Sequence, residues 1–163
     1  RRILMHLKDS AFRIIDTSKM TLGELKESLS RLLELKQSKE MRLHVISFGY
    51  KYGIPLDADL VMDVRFLDNP HYVQSLRKKT GLDRAVSRYI EKDKHAGEFL
   101  ERYTGLIKMI LPLYIKEGKS YLTVAIGCTG GKHRSVYVAD RIAQALKKED
   151  YDVAVYHRDL RKA

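Results

Sequence analysis

The fold turns on residues 124–135, VAIGCTGGKHRS. Their first part closes an apolar run, Ser120 to Gly127 (SYLTVAIG), of a length suited to a strand buried on both faces. Cys128 to Lys132 is a turn of small residues. From Arg134 to Lys148, Val138, Ala139, Ile142, Ala143 and Leu146 recur at helical spacing. Glycines at 127, 130 and 131 permit positive φ and expose successive N–H groups, while the following helix points its positive end at the same place. An anion is therefore expected in the turn. Lys132, His133 and Arg134 add side-chain donors, and Arg134 can hold a phosphate through two parallel hydrogen bonds. In an open α/β sheet, ligands also lie off the carboxyl ends of strands.

Three chemistries compete for this loop. A nucleotide P-loop needs Gly, four residues, then Gly-Lys-Ser or Gly-Lys-Thr. Gly127 stands only four positions before Gly131, and His133 replaces the magnesium-binding hydroxyl, which disfavours that reading. A Cys-dependent phosphatase is the second. Cys128, five residues, Arg134 and Ser135 match the Cys-x5-Arg-Ser signature, with Cys128 as nucleophile and Arg134 as phosphate clamp. Gly127 departs from that pattern, and a general-acid carboxylate has only Asp16 and Asp63 as candidates. The bland alternative for Cys128 is a small buried side chain packing the loop. The third chemistry, which the residues favour, is a binding site for a phosphorylated small molecule without catalysis.

Outward from the loop, Arg42 to Phe48 (RLHVISF) reads as a buried strand followed by the loop Gly49 to Asp57. A second short strand is expected at Asp59 to Val64, and loop over Leu67 to Gly81, which carries the basic run Arg77-Lys78-Lys79. Helices are predicted near Asp83 to Glu91 and from His95 to Lys116. Phe99, Tyr103, Leu106, Ile110 and Leu113 form the expected buried face of the longer one, and Pro112 is expected to kink or shorten it. Asp152 to His157 closes as a strand. The order predicts an α/β domain, a small mostly parallel sheet with flanking helices. Residues 1–40 read as the end of a preceding domain plus a linker helix over Thr21 to Lys36, with a short strand at Ala11 to Asp16 and capping hydroxyls at Thr17-Ser18. Residues 41–163 form the main domain.

The 163-residue chain is 44% hydrophobic in blocks, which argues against disorder. One cysteine excludes a disulfide framework and a Cys-rich zinc site. The sequence holds no apolar run of bilayer length and no opening signal-peptide pattern, so a cytoplasmic location without membrane partners is expected. Arg1-Arg2-Ile3-Leu4 is no initiation sequence, and the chain reads as a fragment. The net charge is +10, and residues 101–163 supply half of it, with twelve basic against seven acidic residues. Such a balance suggests an anionic partner. On the last helix Tyr137, Arg141, Gln144 and Lys148 share the face opposite the apolar stripe. Lys147, Lys148, His157, Arg158, Arg161 and Lys162 cluster near the end of the chain, a pattern suited to RNA or to a solvated surface.

GCTGGKHRSVYVAD (Gly127 to Asp140) and HVISFGYKYGIPLDADLVMDVRFLDNPHY (His44 to Tyr72) resemble the C-terminal domain of the RapZ/YvcJ family of RNase adapters and nucleotide-binding proteins. IDTSKMTLGELKESL (Ile15 to Leu29) resembles the junction before that domain. Asp68 stands where the family commonly has Pro. The resemblance implies a fold similar to a phosphofructokinase subdomain, self-association as a homo-oligomer, and in enterobacterial members binding of small regulatory RNA and glucosamine-6-phosphate. It places a phosphorylated amino sugar against Asp63, His71, Thr129, Gly130, Gly131, His133 and Arg134. Full-length members carry an N-terminal Walker A and B domain. ATP or GTP is expected only there, and this fragment is expected to need no cofactor. The domain's expected role is a non-catalytic sensor and adapter that meets RNA or a regulatory protein through its basic C-terminal surface.

Overall fold

The computed structural model describes residues 11–21, 24, 25, 28, 29, 32 and 41–162. The chain divides into two compact units, Arg1–Ser38 and Lys39–Ala163. In the first, residues 24, 25, 28, 29 and 32 are helical, as the leucine spacing predicts; the remainder of the predicted helix to Lys36 lies outside the described residues. The capping hydroxyl is that of Thr21 rather than of Thr17 or Ser18. Thr21 N–H donates to Glu24 Oε2 (2.7 Å) and Glu24 N–H donates back to Thr21 Oγ1 (3.3 Å), a reciprocal capping box. Residues 11–16 form no strand. Phe12 and Ile14 are solvent-exposed.

The second unit is an α/β domain. Its strands are β1 (Arg42–Gly49), β2 (Leu60–Asp63), β3 (Tyr121–Cys128) and β4 (Val153–His157), all parallel and ordered β2-β3-β1-β4. The helices are α1 (Arg84–Glu91), α2 (Lys94–Lys116) and α3 (Arg134–Lys147), with short 3-10 turns at Tyr50–Tyr52 and Pro70–Tyr72. Leu43 and Val45 of β1 and Leu122, Val124 and Ile126 of β3 meet Val138, Ile142 and Leu146 of α3 in one core. Alternate residues of a strand point to opposite faces, and away from that core Val61, Tyr121 and Tyr156 remain exposed. The two central strands, β3 and β1, are the ones buried along most of their length.

One helix expectation is corrected. The buried residues of α2 are Ala96, Tyr103, Thr104, Ile107 and Leu111, whereas Leu106 and Leu113 are exposed. The helix carries two apolar stripes that both satisfy helical spacing, and only the core selects between them. Pro112 does not shorten α2, which continues to Lys116. Pro112 sits in an exposed final turn, where the carbonyl it leaves without an amide donor can be hydrated.

Candidate functional site

Because the four strands are parallel, their carboxyl ends gather at one edge of the sheet. Gly49 pairs with Cys128, Asp63 with Gly127 and Ser47 with His157, so the four following loops share that edge. Backbone contacts lock them together. Lys51 N–H donates to the Thr129 carbonyl (3.3 Å), Val64 N–H to that of Gly127 (2.9 Å) and Gly81 N–H to that of Lys132 (2.9 Å). Gly131 adopts φ +74°, and a Cβ there would lie 2.6 Å from the Gly49 nitrogen. A Cβ on Gly49 would in turn lie 2.6 Å from the Gly130 carbonyl carbon. The β1 and β3 loops thus touch backbone to backbone, which only glycine allows.

Above this edge lies a cleft of about 540 Å³. Its floor comes from the start of α3. Arg134 is only 6% exposed, and its guanidinium donates to the carbonyls of Arg65 (2.7 Å) and Leu67 (3.1 Å), with Thr129 Oγ1 at 3.4 Å. Its Nε is buried without a hydrogen-bond partner. His133 is 7% exposed, and its Nε2 is likewise buried and unpartnered. Burial pushes the His133 imidazole below its ordinary value, the Lys132 and His71 charges push the same way, and the carbonyls of Leu76 and Lys79 oppose them. Two buried nitrogens without partners are costly unless a ligand or water meets them.

The cleft brings together His71, Thr129, Gly130, His133 and Arg134, with Cys128 and Lys132 beside them. The His71 and His133 rings are 6.4 Å apart. Gly131 lies beneath the surface and shapes the loop from below. Asp63 is not in the lining: its carboxylate is gripped by Arg65 (Nε to Oδ1 3.0 Å, Nη2 to Oδ2 2.7 Å), which holds it below the usual carboxylate range, with Arg134 adding a smaller push. Lys51, Asn69, Tyr72, Arg77 and Lys78 line the cleft without having been singled out as site residues. The basic run Arg77-Lys78-Lys79 was their one visible signal, since nothing in the spacing says which way that loop folds. Arg77 is fixed there by donating through Nε to the His71 carbonyl (3.0 Å).

Cys128 ends β3 and is buried. Its sulfur accepts from the Gly131 N–H (3.3 Å) and lies 3.1 Å from Ser135 Oγ. No carboxylate is among the residues lining the cleft. Asp63 is tied to Arg65, and Asp16 belongs to the N-terminal unit. A roomier hollow of about 990 Å³ lies wholly within that unit, but its Asp16 and Glu24 carboxylates serve local turns at Ser18 and Thr21.

The C-terminal basic cluster is heterogeneous. Lys147, Lys148 and Arg161 are exposed. Arg158 instead donates to the fully buried Asp159 (Nη2 to Oδ2 2.7 Å) and to the Gly53 carbonyl (2.7 Å), and Lys162 reaches Asp159 at 3.3 Å. Asp159 also accepts the Gly49 N–H (2.8 Å) and so buttresses the loop against which Gly131 packs. His157 Nδ1 is 2.9 Å from Ser47 Oγ, and burial pushes its imidazole down, with Asp140 opposing. The expected outer face of α3 is corrected at Tyr137, which is 3% exposed. Helix α1 covers that side: Glu91 takes a hydrogen bond from Tyr137 Oη (3.4 Å) and an ion pair from Arg141. Among the described residues no helix is long and apolar enough to cross a membrane.

Residues 41–161 match the family described as the RapZ C-terminal domain. Nucleotide-binding proteins of Thermoanaerobacter sp. (strain X514), Moorella thermoacetica and Limosilactobacillus fermentum are 53%, 51% and 48% identical to the chain. Those matches cover 98%, 98% and 100% of the chain but 57%, 53% and 56% of the relatives, so it spans a little over half their length. The match over nearly all of the main unit, together with a glycine loop feeding a buried arginine at the start of α3, makes this chain a member of the RapZ C-terminal domain family.

Proposed function

We propose that the main unit is a non-catalytic sensing and adapter domain of a cytoplasmic, self-associating protein. It takes a phosphorylated amino sugar of the glucosamine-6-phosphate kind in the cleft at Thr129 to Arg134. The observation that carries this reading is the pair of buried, unpartnered nitrogens, Arg134 Nε and His133 Nε2, at the floor of a cleft without carboxylates. Arg134 holds two loop carbonyls with one side of its fork, which leaves Nε for an incoming phosphoryl oxygen. Calorimetry tests it: glucosamine-6-phosphate binds and glucosamine does not, and Arg134→Ala weakens binding. No heat at millimolar ligand sinks the reading.

RNA or a regulatory protein is the proposed partner of the exposed part of the C-terminal surface, Lys147, Lys148, Arg161 and Lys162. Nucleotide binding, which the relatives' names state of them, is proposed for the segment of those proteins that this chain does not span. A Cys-dependent phosphatase is the second reading, supported by the hydrogen bond from Gly131 and the Ser135 hydroxyl at the Cys128 sulfur. Against it stands the lack of any carboxylic acid in the cleft lining to protonate a leaving group. Turnover of an aryl phosphate that Cys128→Ser abolishes would establish the enzyme and displace the sensor.

A further inference from the structure

Several cations of this domain outside the cleft are tied to carboxylates. Arg42, Arg65, Arg102, Lys108, Lys119, Arg141 and Arg158 each meet a carboxylate. Among the described residues, no carboxylate lies within ion-pair distance of Lys51, Arg77, Lys78 or Arg134, although all four line one cleft. With Lys132 they place five cationic side chains around about 540 Å³ and no acid. Like charges held this close repel unless an anion compensates them. A phosphate monoester supplies about −1.5 to −2 at pH 7. One such group at the buried Arg134 leaves the three rim cations, Lys51, Arg77 and Lys78, unmatched.

The rim is also positioned. The Arg77 Nε is held by the His71 carbonyl, so the rest of its guanidinium has a fixed place at the mouth. Lys51 is anchored through its own N–H to the Thr129 carbonyl, and its ammonium rests 4.6 Å from the centre of the Tyr52 ring. Freely solvated lysines and arginines would need no such anchoring. Asp63, whose charge reaches Arg134, is turned to Arg65 and is not in the lining.

We infer that the cleft has two anion poles, a buried one at Arg134 and His133 and a rim one at Lys51, Arg77 and Lys78, and takes a sugar-sized ligand bearing two phosphoryl groups. This rests on the phosphate-binding reading above and adds a second anionic subsite to it. A sugar bisphosphate fits better than a sugar nucleotide, because a terminal phosphate monoester can reach the buried guanidinium while a second group stays at the mouth.

The test is calorimetry of the 163-residue chain at fixed ionic strength with glucosamine-6-phosphate, glucosamine-1,6-bisphosphate and UDP-N-acetylglucosamine. The bisphosphate is expected to bind at least about 10-fold tighter than the monophosphate, on the order of 1.4 kcal/mol. In the variant Arg77→Gln with Lys78→Gln that ratio should fall to near one. Equal affinity of mono- and bisphosphate for the unmodified chain, or a ratio that survives in the variant, overturns the rim pole. Tightest binding by the sugar nucleotide keeps the two-phosphoryl requirement and assigns it to a diphosphate. Failure of the monophosphate alone to bind, with a tightly held bisphosphate, supports two poles and corrects only the ligand proposed earlier. Failure of all three removes the earlier reading and this one together.

Discussion

The cleft and the C-terminal surface carry charge of the same sign, but the fold uses it differently. At the cleft, cations from three separate segments converge without a carboxylate, and two buried nitrogens lack partners. At the C-terminus, Arg158 closes on the buried Asp159 and the exposed Lys162 reaches it too, while Lys147, Lys148 and Arg161 face water without an ion pair among the described residues. A buried cation without a carboxylate points to a ligand, whereas a cation closed on a buried carboxylate is part of the scaffold. The two regions also touch, because Asp159 accepts the Gly49 amide that packs against Gly130 and Gly131.

The largest expected effect comes from the scaffold side. Asp159→Asn leaves Arg158 partly buried and without its ion-pair partner, and should destabilise the domain by about 3–5 kcal/mol in urea unfolding. A loss below about 1 kcal/mol would return Arg158 to the list of free surface cations. The Asp159 carboxyl is held low by Arg158, the Gly49 amide and Lys162 against the opposing effect of burial. Its stabilising contribution is therefore complete above about pH 4, the unfolded value, and is lost as pH falls further.

Arg134→Ala should weaken glucosamine-6-phosphate about 100-fold, near 3 kcal/mol for two charge-assisted hydrogen bonds. Arg134→Lys should recover only part of this, since an ammonium cannot supply two parallel bonds. An undiminished affinity in Arg134→Ala would mean that the guanidinium only ties down the Arg65 and Leu67 carbonyls. Gly131→Ala places a Cβ 2.6 Å from the Gly49 nitrogen at positive φ and should cost on the order of 1–3 kcal/mol, lowering the melting temperature together with ligand affinity.

Smaller effects separate the exposed lysines from the cleft. Lys147→Ala with Lys148→Ala should leave sugar-phosphate affinity unchanged. If both lysines meet RNA, the salt slope of binding to a single strand should flatten by about 1.4. An unchanged slope makes them solvated surface. The pH response of the unliganded domain is the mildest readout. Burial lowers both His133 and His157 below the unfolded value of about 6.5, so the unfolded chain binds more protons. Stability is then full above pH 6.5 and declines as pH falls below it. His133→Gln should flatten melting curves recorded between pH 7.5 and 5, and an identical decline in that variant would remove His133 from the account.

The periodicities of β3 and α3 and the glycines between them were enough to predict the parallel α/β class and the anion loop, because alternation, helical repeat and turn chemistry are local properties. The family followed from two long blocks around that loop. The residues that the resemblance assigns to a sugar-phosphate pocket, His71, Thr129, Gly130, His133 and Arg134, line one cleft. Asp63, which the resemblance also assigns there, is not in the lining and is paired with Arg65. Sequence could not choose between the two apolar stripes of α2, or foresee that α1 would cover Tyr137, since each depends on which neighbour arrives.

Local chemistry therefore fixed what the chain could form: strands, a glycine turn, a helix start and a cationic composition. Tertiary structure alone decided which cations converge and which are neutralised. Parallel register brings Gly49, Cys128, Asp63 and His157 to one edge, across sequence distances over which no pattern in the residues carries orientation. Only that convergence distinguishes the partnerless nitrogens of His133 and Arg134 from the neutralised charge at Arg158.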